Sequence, residues 1–180
     1  MTLTVLQTTR LTLREIEEGD ADGLHEAYGD AEAMRFWDIP VSPDVAQTGS
    51  RIRGTLGVDR QWHGMWAILT HAGAFAGAIN YHARHPGNRR LALGWILSPR
   101  FWRQGLMTEA AQAVLHHCFA RMNVHRIEAA IEAQNIASRT LAAKLGFTQE
   151  GELRDWLWVN GQVRSVLMYS LLQPEFSARA

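Results

Sequence analysis

The stretch Phe101-Trp102-Arg103-Gln104-Gly105-Leu106-Met107-Thr108-Glu109-Ala110 joins two runs of different periodicity. Before it, Arg90-Leu91-Ala92-Leu93-Gly94-Trp95-Ile96-Leu97 reads as a mostly apolar strand that ends at Ser98-Pro99. After it, Thr108 to Arg121 reads as a helix with Ala110, Ala113, Val114, His117, Cys118 and Met122 on one face. The first turn of a helix carries unpaired N–H groups and a partial positive charge, which together bind anions. Gly105 has no Cβ to hold a phosphate off the backbone, and Arg100 and Arg103 add positive charge. This is the chemistry of a phosphate cradle; a plain strand-to-helix turn with solvated arginines is the competing reading. The stretch contains neither the P-loop pattern nor the dinucleotide-binding glycine pattern.

Working outward, Arg10-Leu11-Thr12-Leu13-Arg14 alternates as a first strand. Helices are expected from Asp20 to about Tyr28 and from Pro43 or Asp44 to about Leu56. Met65–Leu69, Phe75–Tyr81 and Arg90–Leu97 form an antiparallel meander, with turns at His71-Ala72-Gly73 and His85-Pro86-Gly87-Asn88. Arg126–Ile131 reads as a short buried strand and Asn135–Leu145 as a helix stopped by Gly146. Strands Phe147–Trp158 and Gln162–Leu171 flank Asn160-Gly161, a strong hairpin signal. The order predicts an α/β (α+β) fold: a mixed, mostly antiparallel sheet of about seven strands with helices on both sides. With no linker, repeat or low-complexity tract, residues 1–180 are expected to form one domain.

Apolar residues make up 47% and charged residues 20% of the 180, which describes a globular chain. Formal net charge is zero, so a nucleic-acid partner, which would call for a basic surplus, is not expected. Charge is uneven, however: between Glu15 and Asp44 Arg35 is the lone basic residue among many acids. Cys118 is the single cysteine and falls in an apolar helical run, so a buried inert thiol is expected. No run has the length of a signal peptide or approaches the roughly 18 apolar residues of a membrane span, so a soluble, cytoplasmic protein is expected. His116 and His117 point in different directions on their helix and no metal-ligand spacing occurs, so no metal is expected. His63, His82 and His85 lie near strands and turns, where nothing in the sequence singles one out.

Trp102-Arg103-Gln104-Gly105-Leu106-Met107 resembles the Q/R-x-x-G-x-G/A acyl-CoA motif of the GNAT acetyltransferases. Phe101–Ala110 is similar to the YWGKGYATEA form of the ribosomal-protein N-acetyltransferase branch, and Asn135-Ile136-Ala137-Ser138-Arg139-Thr140-Leu141-Ala142-Ala143-Lys144-Leu145-Gly146-Phe147 to its N-x-x-S-x-x-x-L-x-K-L-G-F segment. The tail from Glu150 through Asn160-Gly161 to Leu172 resembles the end of that branch, so the likeness runs along essentially the whole chain.

The resemblance implies acetyl-CoA as acetyl donor and a sheet splayed between its fourth and fifth strands. Arg103, Gln104, Gly105, Leu106, Met107 and Thr108 would hold the pyrophosphate, and Trp95, Ile96 and Leu97 would pair with the pantetheine arm. Asn135 would hydrogen-bond that arm, Ser138 would lie near the thioester sulfur, and Arg139 and Lys144 would meet the nucleotide end. Arg103 stands where the branch has glycine and Met107 where it has alanine or glycine; either is expected to narrow the cradle. Ser165 stands where the branch often has aspartate, and Leu157 where some relatives carry a proposed base.

Attack on a thioester needs a neutral amine, a stabilised oxyanion and help for the leaving thiolate. A lysine-type amine has a pKa of about 10.4 and an α-amine near 8, so an α-amine needs only a weak base. Glu132, at the end of the strand before Asn135, is the first candidate base; Asp155 and Glu109 follow, each with an ordinary surface or capping role as its alternative. Ser138 is the candidate acid, although Asn135 and Ser138 also suit a helix cap. A backbone N–H near Leu97 would serve the oxyanion. Trp37 is expected at the acceptor mouth, where the acidic N-terminal region either attracts a cationic amine or is a solvated face. Three functions stay open: acetylation of a protein N-terminal α-amine; acetylation of a polyamine, amino acid or aminoglycoside; or a CoA-binding sensor without turnover. A homodimer is compatible with all three.

Overall fold

Side-chain alternation along the central strands sorts the core into two layers. In the computed structural model, which describes residues 3–177, the strand β3 (Gly64–Thr70) sends Trp66 and Ile68 to one face and Met65 and Ala67 to the other. Around it stand β1 (Leu6–Gln7), β2 (Leu11–Glu15), β4 (Phe75–His85), β5 (Arg90–Leu97), β6 (Arg126–Ile131), β7 (Thr148–Val159) and β8 (Gln162–Leu172). They form one eight-stranded sheet in the order β1-β2-β3-β4-β5-β6-β8-β7. All neighbours are antiparallel except β5 and β6, which run parallel. The strand beyond the seven expected is β1, two residues paired with Leu13 and Thr12 and too short to carry a pattern of its own.

Helices α1 (Ala21–Tyr28) and α2 (Val45–Leu56) cover one face through Leu24, Ala27, Tyr28 and Ile52, packed on Met65, Ala67, Phe75, Ala78 and Ile96. Helices α3 (Leu106–Arg121) and α4 (Ile136–Leu145) cover the other, and α5 (Gln173–Ser177) brings Phe176 against Phe119. The α3 face is rotated from the expected one: Leu106, Ala111, Leu115 and Phe119 are buried, whereas Ala113 and His117 are only half-buried. Each large apolar side chain so buried contributes about 1.5–3 kcal/mol, which holds a helix whose own terminus is uncapped. Cys118 is fully buried and its thiol is pushed up to about 12 by that burial, leaving it inert.

Two local features position the end of β5. Ile68 pairs with Gly77 and Leu69 with Phe75, so Ala76 is an extra residue in β4, and its carbonyl accepts from Ser98 N at 2.9 Å. A side chain at Gly77 would run into the carbonyl oxygen of Ile96, so β5 can lie this close only because β4 has glycine there. At the far edge, Asn160 and Gly161 both have positive φ (50° and 76°), the type I′ turn that joins β7 to β8. Among the described residues, no helix is long and apolar enough to cross a membrane.

Candidate active site

Beyond Leu97 the chain makes a short 3-10 turn, Pro99–Phe101, and the Trp102 indole donates back to the Leu97 carbonyl at 2.9 Å. Arg103 then takes φ 60° and Gly105 φ 76°, and α3 starts at Leu106, ahead of the expected Thr108. Alternation of left- and right-handed residues turns successive N–H groups inward, the geometry that binds an anion. No side chain caps α3 among the described residues, so its first-turn N–H groups are left for a ligand. Arg103, Gln104 and Gly105 are exposed, whereas Leu106 and Met107 are buried in the core. Met107 therefore does not narrow the cradle; its bulk belongs to the packing of α3. Arg103 holds a left-handed backbone that disfavours any Cβ, and its guanidinium projects from the cradle rim into solvent.

A second cation reaches this loop from the other end of the chain. Arg10 donates to the Gln104 carbonyl at 3.0 Å and to Glu109 at 2.7 Å, and Thr8 donates to the same carboxylate at 2.6 Å. Burial alone would raise the Glu109 pKa, but these bonds outweigh it and hold the carboxyl below its usual range. Glu109 is thus a structural clamp between the β1–β2 turn and α3, not a free base. Arg10 escaped the sequence reading because its partners lie 94 and 99 residues away.

The sheet opens beside this cradle. Strand β5 pairs with β6 through Arg90, Leu91 and Ala92, opposite Arg126, Ile127 and Glu128, and the register stops there. Above that point Leu93–Leu97 run free of β6, which is the splay expected between the fourth and fifth strands of the sequence reading. Trp95 and Leu97 face the α3–α4 side and Ile96 the α1–α2 side. Across the gap, the Trp95 indole donates to Ser138 Oγ at 3.2 Å, while Asn135 Oδ1 caps α4 by accepting from Ser138 N at 3.1 Å. Trp95, Asn135 and Ser138 are therefore brought together. Lys144 is exposed on the last turn of α4 without a partner among the described residues, and Arg139 is turned toward the Tyr169 hydroxyl (3.3 Å) and the Ala133 carbonyl (2.9 Å).

An uncapped helix start, a left-handed approach loop and a strand edge open over half its length are what a pantetheine pyrophosphate requires. Residues 10–148 match the GNAT acetyltransferase domain. The chain belongs to the GNAT acetyltransferase family. It is 32% identical to p20, an uncharacterized N-acetyltransferase of Bacillus licheniformis, over 96% of this chain and 98% of that one. It is 25% identical to the spermidine N(1)-acetyltransferase of Escherichia coli K12, over 92% and 88% of the two chains. Among solved structures it superposes on a ribosomal L7/L12 α-N-protein acetyltransferase in complex with coenzyme A, with a TM-score of 0.84, 26% identity, and coverage of 94% and 98%. The protein is an acetyl-CoA-dependent N-acetyltransferase of mixed α/β fold.

On the acceptor side of this acetyltransferase, Glu132 is 11% exposed and its carboxylate accepts from Arg164 at 3.0 Å. The same guanidinium nitrogen donates to the Arg35 carbonyl at 3.1 Å, tying β8 and the end of β6 to the segment between α1 and α2. Glu132 is therefore already engaged by a cation. Trp37 lies half-buried 5.8 Å from the Tyr28 ring, under the helices rather than at an open mouth. Burial pushes the Tyr28 phenol up to about 12. Asp155 sits at φ 53° in an irregular stretch of β7, where its N–H donates to Ser165. The N-terminal acidic excess proves largely internal: Glu15 pairs with Arg60, Glu17 and Asp20 with Arg14, Glu18 with Arg53, Glu26 with Arg100 and Glu32 with Arg35.

Proposed function

We propose that this enzyme acetylates the α-amine of a protein N-terminus by direct attack on the thioester of acetyl-CoA. The observation that carries this reading is the reach of the helices. The apolar core of the α1–α2 layer packs on β3, β4 and Ile96 of β5; among the described residues no apolar side chain of β6 or β8 joins it, and β8 reaches the layer through Arg164 on the Arg35 carbonyl. The acceptor side of the splay is thus walled by helix on one flank alone, which suits an extended chain better than an enclosed small molecule. Acidic walls that a polyamine would call for are also sparse: Asp38 apart, Glu15, Asp20, Glu26 and Glu132 are matched to arginines within the protein.

In this reading the backbone from Arg103 to Thr108 cradles the pyrophosphate, Trp95, Ile96 and Leu97 offer their open edge to the pantetheine arm, and Asn135 donates its free amide N–H to that arm. Ser138 lies where its hydroxyl can give a proton to the departing thiolate. Glu132 serves acceptor binding together with Arg164 and becomes a base only if that ion pair opens.

Thiol release from acetyl-CoA, followed against peptides with free N-termini, the same peptides N-acetylated but bearing lysine, spermidine and an aminoglycoside, tests the proposal. Turnover confined to free N-termini is expected. Turnover confined to spermidine or the aminoglycoside would replace it with the small-amine reading.

A further inference from the structure

Polar groups beside the splay on the acceptor face are almost all committed. Glu128 accepts from Arg90 at 2.9 Å and from Arg126 at 2.7 Å, and Glu132 accepts from Arg164. Two side chains of β4 are not. Ala78 belongs to the α1–α2 layer, so strand alternation puts Asn80 and His82 on that same face. Asn80 stands opposite Gly94 and His82 opposite Ala92 on β5, the first just above and the second at the level where β5 and β6 part.

These β5 residues are a lane. A Cβ on Gly94 would lie 2.5 Å from Asn80 Oδ1, so the carboxamide lies over the glycine backbone toward the splay. Ala92 adds only a methyl group in front of His82. Asn80 Oδ1 is buried with no hydrogen-bond partner, and neither side chain makes a hydrogen bond among the described residues. A buried acceptor without a donor is costly, by about 1–3 kcal/mol, unless a ligand supplies one. An amine approaching a thioester at Gly94 carries the missing donors.

Resting on the amine-acetylating reading above, we infer that His82 is the general base of this enzyme and that Asn80 orients the acceptor amine beside Gly94. The amine nitrogen bonds to the acetyl carbon while the carbon–sulfur bond breaks with its electron pair passing to sulfur. One proton leaves nitrogen for the His82 imidazole, directly or through one water; Ser138 gives one to the thiolate and regains it from solvent, to which His82 releases its own. Two groups face His82 from neighbouring elements, Asp38 between α1 and α2 and His63 just before β3, and Arg60 acts on His63. His82 is exposed, yet the protein packed beside it desolvates the ring enough to hold its pKa below the usual value, with Asp38 acting in the opposite sense. Burial pushes His63 down to about 4, so near neutrality it adds no charge there. His82 is then neutral at physiological pH, as a base must be.

The test uses the full chain and the best amine from the thiol-release panel. His82→Gln and His82→Asn should each lower kcat about 10²-fold, with unchanged affinity for CoA by calorimetry, and free imidazole should restore part of the rate. Loss of the limb of the kcat profile below about pH 6.5 should accompany this. Asn80→Ala should raise KM for the amine, with a loss in kcat/KM of about tenfold, the effect of one hydrogen bond. A His82→Gln enzyme with wild-type kcat and an unchanged pH profile, set against a Glu132→Gln enzyme that is inactive, would overturn the inference alone. Wild-type protein inert toward every amine would overturn the acceptor reading and this inference with it.

Discussion

Helices α3 and α4 begin on either side of the same cleft, and they begin differently. At α4 the Asn135 side chain accepts from the Ser138 N–H, and at the start of α2 Asp44 does the same for Gln47. At α3 the residue in that position is Gly105, which has no side chain to offer. A cap and a bound anion compete for the same N–H groups, and the protein caps α2 and α4 while leaving the start of α3 bare. Packing makes this tolerable, since the buried face of α3 outweighs the roughly 1 kcal/mol that a cap contributes. The approach loops differ too. Helix α4 ends on Gly146 at φ 93°, a residue suited to that conformation, whereas the loop into α3 forces Arg103 into the left-handed region.

The contrast can be broken in order of severity. Gly105→Val should be the most damaging: a β-branched residue at φ 76° adds about 1–2 kcal/mol of strain, and its side chain intrudes on the cradle. Titration should show CoA affinity down by roughly tenfold or more, and a melt should show Tm lowered by a few degrees. A variant that binds CoA normally would mean that the α3 start is not the phosphate site.

Glu109→Gln loosens the clamp behind the cradle and should lower stability by about 1 kcal/mol, a value reduced by the exposure of Arg10. The folded carboxyl is held below its unfolded pKa of about 4.3, so its contribution is complete above that value and is lost as pH falls through the depressed folded pKa. The gap in Tm between wild type and variant should therefore be full at pH 7 and close under acid conditions.

Asn135→Ala should lower stability by about 1 kcal/mol while reducing CoA affinity less than Gly105→Val does. The reverse pattern, normal Tm with CoA binding gone, would show that Asn135 serves the cofactor more than the helix. Smallest of all, Arg103→Gly should raise stability by roughly half a kcal/mol, the relieved backbone strain less the greater unfolded-state entropy of glycine. The same change should weaken CoA binding and flatten its salt dependence, measured by titration at two ionic strengths, if the guanidinium adds to the cradle's field.

What the sequence disclosed was local. Alternation in Arg90–Leu97, the Asn160-Gly161 turn, Gly146 as a helix stop and the loop into α3 all depend on neighbours in the chain, and the structure has them where the pattern puts them. Features that depend on distant partners were hidden. Glu109 looked like a carboxylate free for catalysis until Arg10 was seen across the sheet, and Glu132 until Arg164 was. The acidic N-terminal stretch left an electrostatic lure and a solvated face both open because its arginine partners are scattered from Arg14 to Arg100. Asn80 and His82 gain meaning only from register, since nothing near them announces that Gly94 and Ala92 stand opposite. Met107 shows the converse: the helical turn carries into the core a side chain expected to narrow the cradle.

The short parallel contact between β5 and β6 has a consequence for the protein as a population. Leu93–Leu97 keep backbone donors and acceptors on one side that no strand among the described residues satisfies. In the proposed reading the acetyl donor's arm completes that edge, so the folded state would be favoured in proportion to the logarithm of donor concentration, about 2.7 kcal/mol at a hundredfold excess over Kd. The resistance of this enzyme to heat and proteolysis is then coupled to the supply of acyl-CoA, and a cell short of acetyl groups would also hold less of the catalyst that spends them.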